Sequence, residues 1–299
     1  MLLCMAVVSA LYLPAEAQMS RAGRIVAEMH NPASDYVIVV AHRGDWRNYP
    51  ENSIAAIESA IRMGVDMVEL DIKMTRDSVL VLCHDKTIDR TTTGRGLIST
   101  MTADSIRKFN LRYAHGIKSP YDHMPTLREA LAVCKDRITV NVDQGYEYYE
   151  QVLAITEELG MTDQVLIKGK ASVAEVNAKM AAHPHNMMYM PITEVWKPSG
   201  LKLYNEHMAA GEAPLAYEMS FPELDAEAFA FCRKVIASGS KVWMNTLWPS
   251  ICGGYDDRRA NDSPNPGEVY GKLLELGSSI IQTDQPKKLI EYLESVGRR

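Results

Sequence analysis

The chain has 299 residues, 46% of them hydrophobic and 23% charged, and a formal net charge of −6. That length suits one large domain or two small ones. The composition is that of an ordinary globular protein, which excludes bulk disorder. The mild acidity gives no electrostatic reason to expect nucleic acid or an anionic membrane surface as partner. An anionic substrate would therefore need positive charge supplied locally.

Residues 1–13 form a short apolar run with no acidic residue, followed by Pro14 and then Ala15-Glu16-Ala17. The small-x-small triplet fits a signal-cleavage site, so residues 1–17 are read as a secretory signal and the mature chain as 18–299. No Lys or Arg precedes the apolar stretch, which is also too short to span a bilayer. The expectation is a periplasmic or secreted protein with no stable membrane anchor. Cys83, Cys134, Cys232 and Cys252 are scattered without a CxxC pair. That excludes a zinc ribbon and argues against a disulfide scaffold, while leaving one disulfide open.

After a short helical lead-in, apolar β-branched runs alternate with stretches of helical periodicity. Strands are predicted at 36–41, 67–74, 138–143, 164–168, 187–191, 214–218, 241–245 and 279–283. Helices are predicted at 53–63, 126–134, 146–159, 171–182, 202–210, 225–238, 267–276 and 286–295. Strand–helix alternation implies parallel pairing with right-handed crossovers. So many units in one chain, with no GxGxxG or GxxxxGK[ST] after the first strand, favour an α/β (β/α)8 TIM barrel over an open sheet. Residues 79–83 read as an extra strand. Residues 86–125 are too long for a βα loop and are read as an insertion after the second strand, projecting over the barrel mouth. Residues 253–267 read as a second long loop.

In such a barrel the active site lies at the C-terminal strand ends. Those ends carry His42, Glu69 and Asp71, Asp143, Lys168, Glu218, Asn245 and Asp284, and the extra strand leads into His84. Glu69 and Asp71, at i and i+2, point to one face of their strand. Paired carboxylates repel, and a hard divalent cation bound by oxygen is the natural compensation, with Asp143 as third ligand. A salt bridge of either carboxylate with Arg43 or Lys73 is the competing reading. His42 and His84 are the candidate proton carriers, since imidazole titrates near neutrality. The histidines at 30, 115, 123, 183, 185 and 207 fall in loops or helix ends and are read as structural. Together these groups suit an anionic phosphoryl centre.

The run His42-Arg43-Gly44, then Pro50-Glu51-Asn52-Ser53, Glu69-Leu70-Asp71 and His84-Asp85 resembles the glycerophosphodiester phosphodiesterase family. Pro125-Thr126-Leu127 and Thr283-Asp284-x-Pro286 extend the resemblance to the last strand. The resemblance implies a (β/α)8 barrel with a small insertion. It also implies metal-dependent hydrolysis of glycerophosphodiesters, with Mg²⁺ or Ca²⁺, to glycerol phosphate and an alcohol. His42 and His84 would then be the acid/base pair and Glu69 and Asp71 metal ligands. Arg43 would be a phosphate contact, and Glu51 and Asn52 residues that brace the site or touch substrate and metal.

The family's third strand ends in Glu-x-Lys, matched here by Asp143 and Gly145, so Lys168 on the next strand is expected to supply the missing cation. Glu218 and Asn245 are placed with the substrate-facing residues. Trp243, Asn245 and Trp248 are read as a wall for the leaving group, or else the aromatics as rim packing. A relative that releases a cyclic phosphate and a non-catalytic phosphodiester-binding protein are the alternative readings. The partner expected is a small-molecule phosphodiester.

Overall fold

The computed structural model describes residues 19–211 and 213–299. The predicted signal segment, residues 1–17, lies outside them. Helix α1 (Arg21–Met29) leads into eight parallel strands: β1 (Ile38–Ala41), β2 (Met67–Met74), β6 (Thr139–Asp143), β7 (Val165–Gly169), β8 (Met188–Thr193), β9 (Ala216–Met219), β10 (Lys241–Asn245) and β11 (Ser278–Thr283). β1 pairs with both β11 and β2, which closes the sheet into a barrel. β3 (Leu80–Leu82) runs antiparallel along the upper end of β2.

The strands alternate as a barrel requires. On β2, Val68, Leu70 and Ile72 face outward into the main core under the helices. Met67, with Ile38, Val40, Leu166, Met190, Ala216, Trp243 and Ile280, fills the lower barrel, and Ile25 and Met29 of α1 pack against that floor. Above it stands a buried polar layer that includes Glu69, Asn141, Lys168, Glu218, Asn245 and Gln282. An apolar floor under a polar mouth is thus written into each strand by its lower and upper inward positions.

Helix starts and stops follow local chemistry. α2 (Ile54–Met63) begins where Ser53 Oγ accepts from Ala56 N and ends on left-handed Gly64. The helix Leu127–Cys134 is fixed by a Thr126/Glu129 capping box. Predicted and observed elements differ mainly at their ends. The helix predicted from 202 starts at Pro198, where proline at the first position is pre-set for helix. The one predicted from 146 starts at Tyr149, because residues 142–148 first make tight turns through left-handed Gln144. The second long loop contains a short helix, Asp257–Asp262.

The insertion is a compact subdomain. It holds a short helix (Ala103–Ile106) and a hairpin of β4 (Asn110–Arg112) with β5 (Lys118–His123). Its own apolar cluster joins Ile88, Ile98, Ile106, Leu111 and Met124 to Val81 and Cys83. Backbone bonds such as Arg76 N to Met101 O (2.9 Å) seat it beside the β2–β3 turn, and Arg90 is the side chain it sends to Glu51 beneath the mouth. The disulfide left open by the sequence does not form among the described residues: Cys83, Cys134, Cys232 and Cys252 are buried, free thiols.

Candidate active site

Glu69 and Asp71 project from the inner face of β2. In the parallel register Asp71 lies beside Asp143 of β6. One oxygen from each of Glu69, Asp71 and Asp143 falls within 4.8 Å of the others. Glu69 and Asp71 are 2% and 1% exposed, so water does little to relieve their repulsion. Burial first, and then Asp71 and Asp143, hold the Glu69 carboxyl well above its ordinary range.

The turn after β1 organises this cluster. Arg43 adopts φ 53° and Asn52 φ 54°, left-handed conformations that cost a non-glycine residue about 1 kcal/mol or more. The strain places Arg43 N 2.9 Å from Glu69 Oε2 and Arg43 Nε 3.1 Å from Asp71 Oδ2. Asn52 grips Asp71 twice, through Nδ2 to Oδ2 (2.8 Å) and through Oδ1 from Asp71 N (3.1 Å). Gly44 follows at φ 74°, where a Cβ would meet Ala56 at 2.9 Å. Both competing readings of Asp71 are therefore present together: it pairs with Arg43 and still belongs to the three-carboxylate cluster. Lys73 turns away to Gln144.

Lys168 reaches the same cluster from β7, the strand next to β6. Its Nζ lies 3.4 Å from Asp143 Oδ1 and 3.0 Å from Glu218 Oε2, and the side chain is 7% exposed. Burial disfavours the ammonium, but Glu218, Asp143 and Glu69 outweigh that and raise its pKa. At Gly145 an added Cβ would lie 2.7 Å from Ile167 Cγ2 and 2.8 Å from Val142 O. That position has no room for a side chain, and the buried cation of the mouth comes from β7.

His42 Nδ1 is 2.8 Å from Asp284 Oδ1, and its ring meets Trp248 edge-on with centroids 6.2 Å apart. His84, half exposed, has Nδ1 2.8 Å from Asp85 Oδ1. Asp85 is clamped by Arg90 Nε at 2.8 Å and Nη2 at 3.1 Å. Arg90 also donates to Glu51 at 2.5 and 2.9 Å, and Glu51 accepts from Arg43 at 3.1 Å. Burial pushes Glu51 up, but Arg90 and Arg43 together hold it below its ordinary range.

One cavity is lined by His42, Arg43, Glu69, Asp71, His84, Asp143, Lys168, Glu218 and Asn245. Its lining also includes the apolar side chains Ile192, Leu247, Trp248 and Ile251. Glu51 and Asn52 stand behind this lining as braces. Trp243 does not form the wall. It is fully buried, its Nε1 donates to Asn245 Oδ1 at 2.7 Å, and Lys168 Nζ lies 5.8 Å above its ring. Two residues below Asn245 on an inward-facing strand is the floor of the barrel, which explains the difference. Asn245 in turn donates to Glu218 Oε1 at 2.8 Å.

The structure gives roles to residues that the strand-end reading left without one or did not include. Asp284 carries His42, and Trp46 donates to Asp284 at 2.6 Å. Arg90 comes from the insertion. Asn141 faces inward opposite Glu69 and keeps a buried Oδ1 with no hydrogen-bond partner. Only the inward parity of Asn141 with Asp143 could have flagged it in advance.

Comparisons with known proteins show which family the chain resembles. The sequence model of the glycerophosphoryl diester phosphodiesterase family matches residues 42–186, and that of a domain of unknown function matches 189–293. A glycerophosphodiester phosphodiesterase of Caldanaerobacter subterraneus is 35% identical over 271 residues, which cover 87% of this chain and 99% of the relative. Glycerophosphodiester phosphodiesterase 1 of Homo sapiens is 45% identical over 102 residues, only 33% of this chain and 31% of the relative. A glycerophosphoryl diester phosphodiesterase structure from Parabacteroides distasonis superposes with a TM-score of 0.73 at 21% identity, covering 93% of each chain. An Oleispira antarctica phosphodiesterase bound to its product, sn-glycerol-3-phosphate, gives a TM-score of 0.62 at 21% identity over 86% of this chain and 96% of that one. These two structures share the closed barrel. With the near full-length match to the bacterial relative, the chain belongs to the glycerophosphoryl diester phosphodiesterase family.

Proposed function

We propose that this mouth hydrolyses glycerophosphodiesters, the deacylated phospholipids, to glycerol phosphate and an alcohol by acid–base catalysis between His42 and His84. The observation that carries the reading is the meeting of two aspartate-borne histidines with a three-carboxylate cluster in one cavity. Glu69, Asp71 and Asp143 would hold one divalent cation, Mg²⁺ or Ca²⁺. Their fit to a cation rests on three mutually repelling carboxylates, two of them buried, whose oxygens lie within 4.8 Å of one another. Bound there, the cation supplies Lewis-acid stabilisation of negative charge on phosphoryl oxygens.

The chain's own groups do the rest. Arg43, after β1, and Lys168, on β7, offer positive charge to the phosphate. One histidine takes the proton of an attacking water as its oxygen bonds to phosphorus. The other gives a proton to the alkoxide whose bond to phosphorus breaks. The apolar wall at Leu247, Trp248 and Ile251 keeps water away from one flank of the reacting centre.

We also place the protein in the periplasm or outside the cell, on the apolar run and Ala15-Glu16-Ala17 at its N-terminus. No described helix is long and apolar enough to cross a membrane.

The test is release of glycerol phosphate from a panel of glycerophosphodiesters with Mg²⁺, Ca²⁺ or EDTA, for the wild type and His42→Ala. Metal-dependent turnover that the variant loses is expected. No turnover on any member with either ion refutes the hydrolytic reading, and a cyclic product replaces hydrolysis by intramolecular transfer.

A further inference from the structure

The two histidines of the mouth are carried by aspartates in unlike settings. Asp85, behind His84, is partly exposed and shared with Arg90 through two bonds of 2.8 and 3.1 Å. Asp284, behind His42, lies where three loops meet. From the loop after β1, Trp46 Nε1 donates to Asp284 Oδ1 at 2.6 Å, the same oxygen that faces His42 Nδ1 at 2.8 Å. From the loop after β10, Asp257 Oδ2 accepts Asp284 N at 2.7 Å. Asp257 Oδ1 accepts the hydroxyls of Thr246 (2.8 Å) and Thr283 (2.6 Å), so it stitches the ends of β10 and β11 together beneath Asp284. Arg47 stands outside, with Nη2 3.5 Å from Asp284 Oδ2.

We infer that Asp284 is a positioning residue for hydrolysis: it accepts the Nδ1 proton of His42, turns the Nε2 lone pair to the mouth, and is itself fixed by Trp46 and Asp257. The inference rests on the reading that His42 moves a proton. Burial favours a neutral Asp284, but the hydrogen bond and charge of His42, then the bond from Trp46 and the charge of Arg47, outweigh it and hold the carboxyl below its ordinary range. An ionised carboxylate only accepts, so the Nδ1 that faces it at 2.8 Å carries a proton, and a His42 with one ring proton has its lone pair on Nε2. Rotation of the ring is opposed on a second side by Trp248, edge-on at an interplanar angle of 76°. The loop between β10 and β11 thereby supports the site from outside the cavity, because its Asp257 anchors the backbone from which Asp284 reaches His42.

Selective ¹⁵N labelling of histidine, with His42→Gln to assign the signal, reads the tautomer directly. Wild type should show His42 protonated at Nδ1, and Asp284→Ala should lose that signal. Loss of an orienting carboxylate should lower kcat by about 10²–10⁴-fold, with KM within about threefold of wild type and affinity for Mg²⁺ unchanged. Trp46→Phe removes one donor from a half-buried side chain and carries the test even where Asp284→Ala does not fold, with a kcat loss of about tenfold. A wild-type His42 protonated only at Nε2 overturns the inference. So does a kcat within about threefold of wild type in Asp284→Ala or in Trp46→Phe. An equal loss of Mg²⁺ affinity overturns it as well, since that marks a collapsed mouth. A wild type without turnover on any diester refutes the activity itself, and the tautomer signal then reports only the resting geometry.

Discussion

Replacing Lys168 by methionine tests how the mouth carries its charge. The ammonium is buried between Glu218 and Asp143, at 3.0 and 3.4 Å, and Glu218 Oε2 has no hydrogen-bond partner to fall back on. At an effective dielectric of about 20, each contact is worth roughly 5 kcal/mol before the burial cost of the ions. The net penalty for removing one partner of a buried pair is about 3–5 kcal/mol, because the remaining charge is stranded. Methionine keeps the length of the chain, so packing over Trp243 is nearly preserved and the loss is electrostatic. Folded wild-type Lys168 titrates above its unfolded value, so its stabilisation is complete throughout the neutral range and fades only in strong alkali. In the variant the stranded carboxylates bind protons more tightly when folded, so stability should recover as pH falls. Urea unfolding of metal-free protein at about pH 6 and pH 8.5, followed by tryptophan emission, measures both effects. Added Mg²⁺ should stabilise the variant more than the wild type, since the ion meets one less repelling charge. A loss below about 1 kcal/mol, or one that does not change with pH, would refute the assignment of Lys168 as the buried counter-charge.

Asp143→Asn removes one carboxylate of the cluster and should weaken Mg²⁺ or Ca²⁺ binding at least about tenfold by calorimetry; unchanged affinity would take Asp143 out of the ligand set. Asp257 is pushed up to about 7, by burial first. A raised carboxyl stabilises the fold fully below its unfolded pKa, and that contribution is lost as pH rises from about 4 to about 7. The span is up to about 4 kcal/mol, and Asp257→Asn should remove this slope from urea unfolding measured across that range. Gly145→Ala should destabilise by about 1–3 kcal/mol, since its Cβ meets a strand carbonyl and Ile167; a neutral thermal shift would show that the turn after β6 can give way.

Strand positions are legible in the sequence because a parallel barrel strand is a short apolar run with a fixed parity. The predicted strands 67–74 and 241–245 have the bounds of β2 and β10. Parity also places Glu69 and Asp71 on one face. It fails at depth. Trp243 and Asn245 share a face, but one is floor and the other mouth, and only the stagger of β10 against β9 and β11 decides which. Partners are less legible still. His42 and Asp284 are 242 positions apart and meet only because β1 closes the barrel against β11. In the sequence Arg90 is one polar residue of a long insertion, and only the packing of Ile88 in the satellite cluster aims its neighbour at Glu51.

The charges of the inner mouth argue for the cation independently of resemblance. Glu69, Asp71, Asp143 and Glu218 are four carboxylates, and Arg43 and Lys168 are the two cations that touch them. Fully ionised, that set carries an excess of two negative charges in a site with little water. Part of the excess can be absorbed by protonation, which is the state that the raised pKa of Glu69 describes. Protonation leaves a neutral acid that offers a phosphate at most one O–H donor, whereas a divalent ion cancels the same excess and adds an electrophile. The position of Lys168 follows from this balance: placed between Asp143 and Glu218, it lowers the charge of the acidic lining that an anionic substrate must approach.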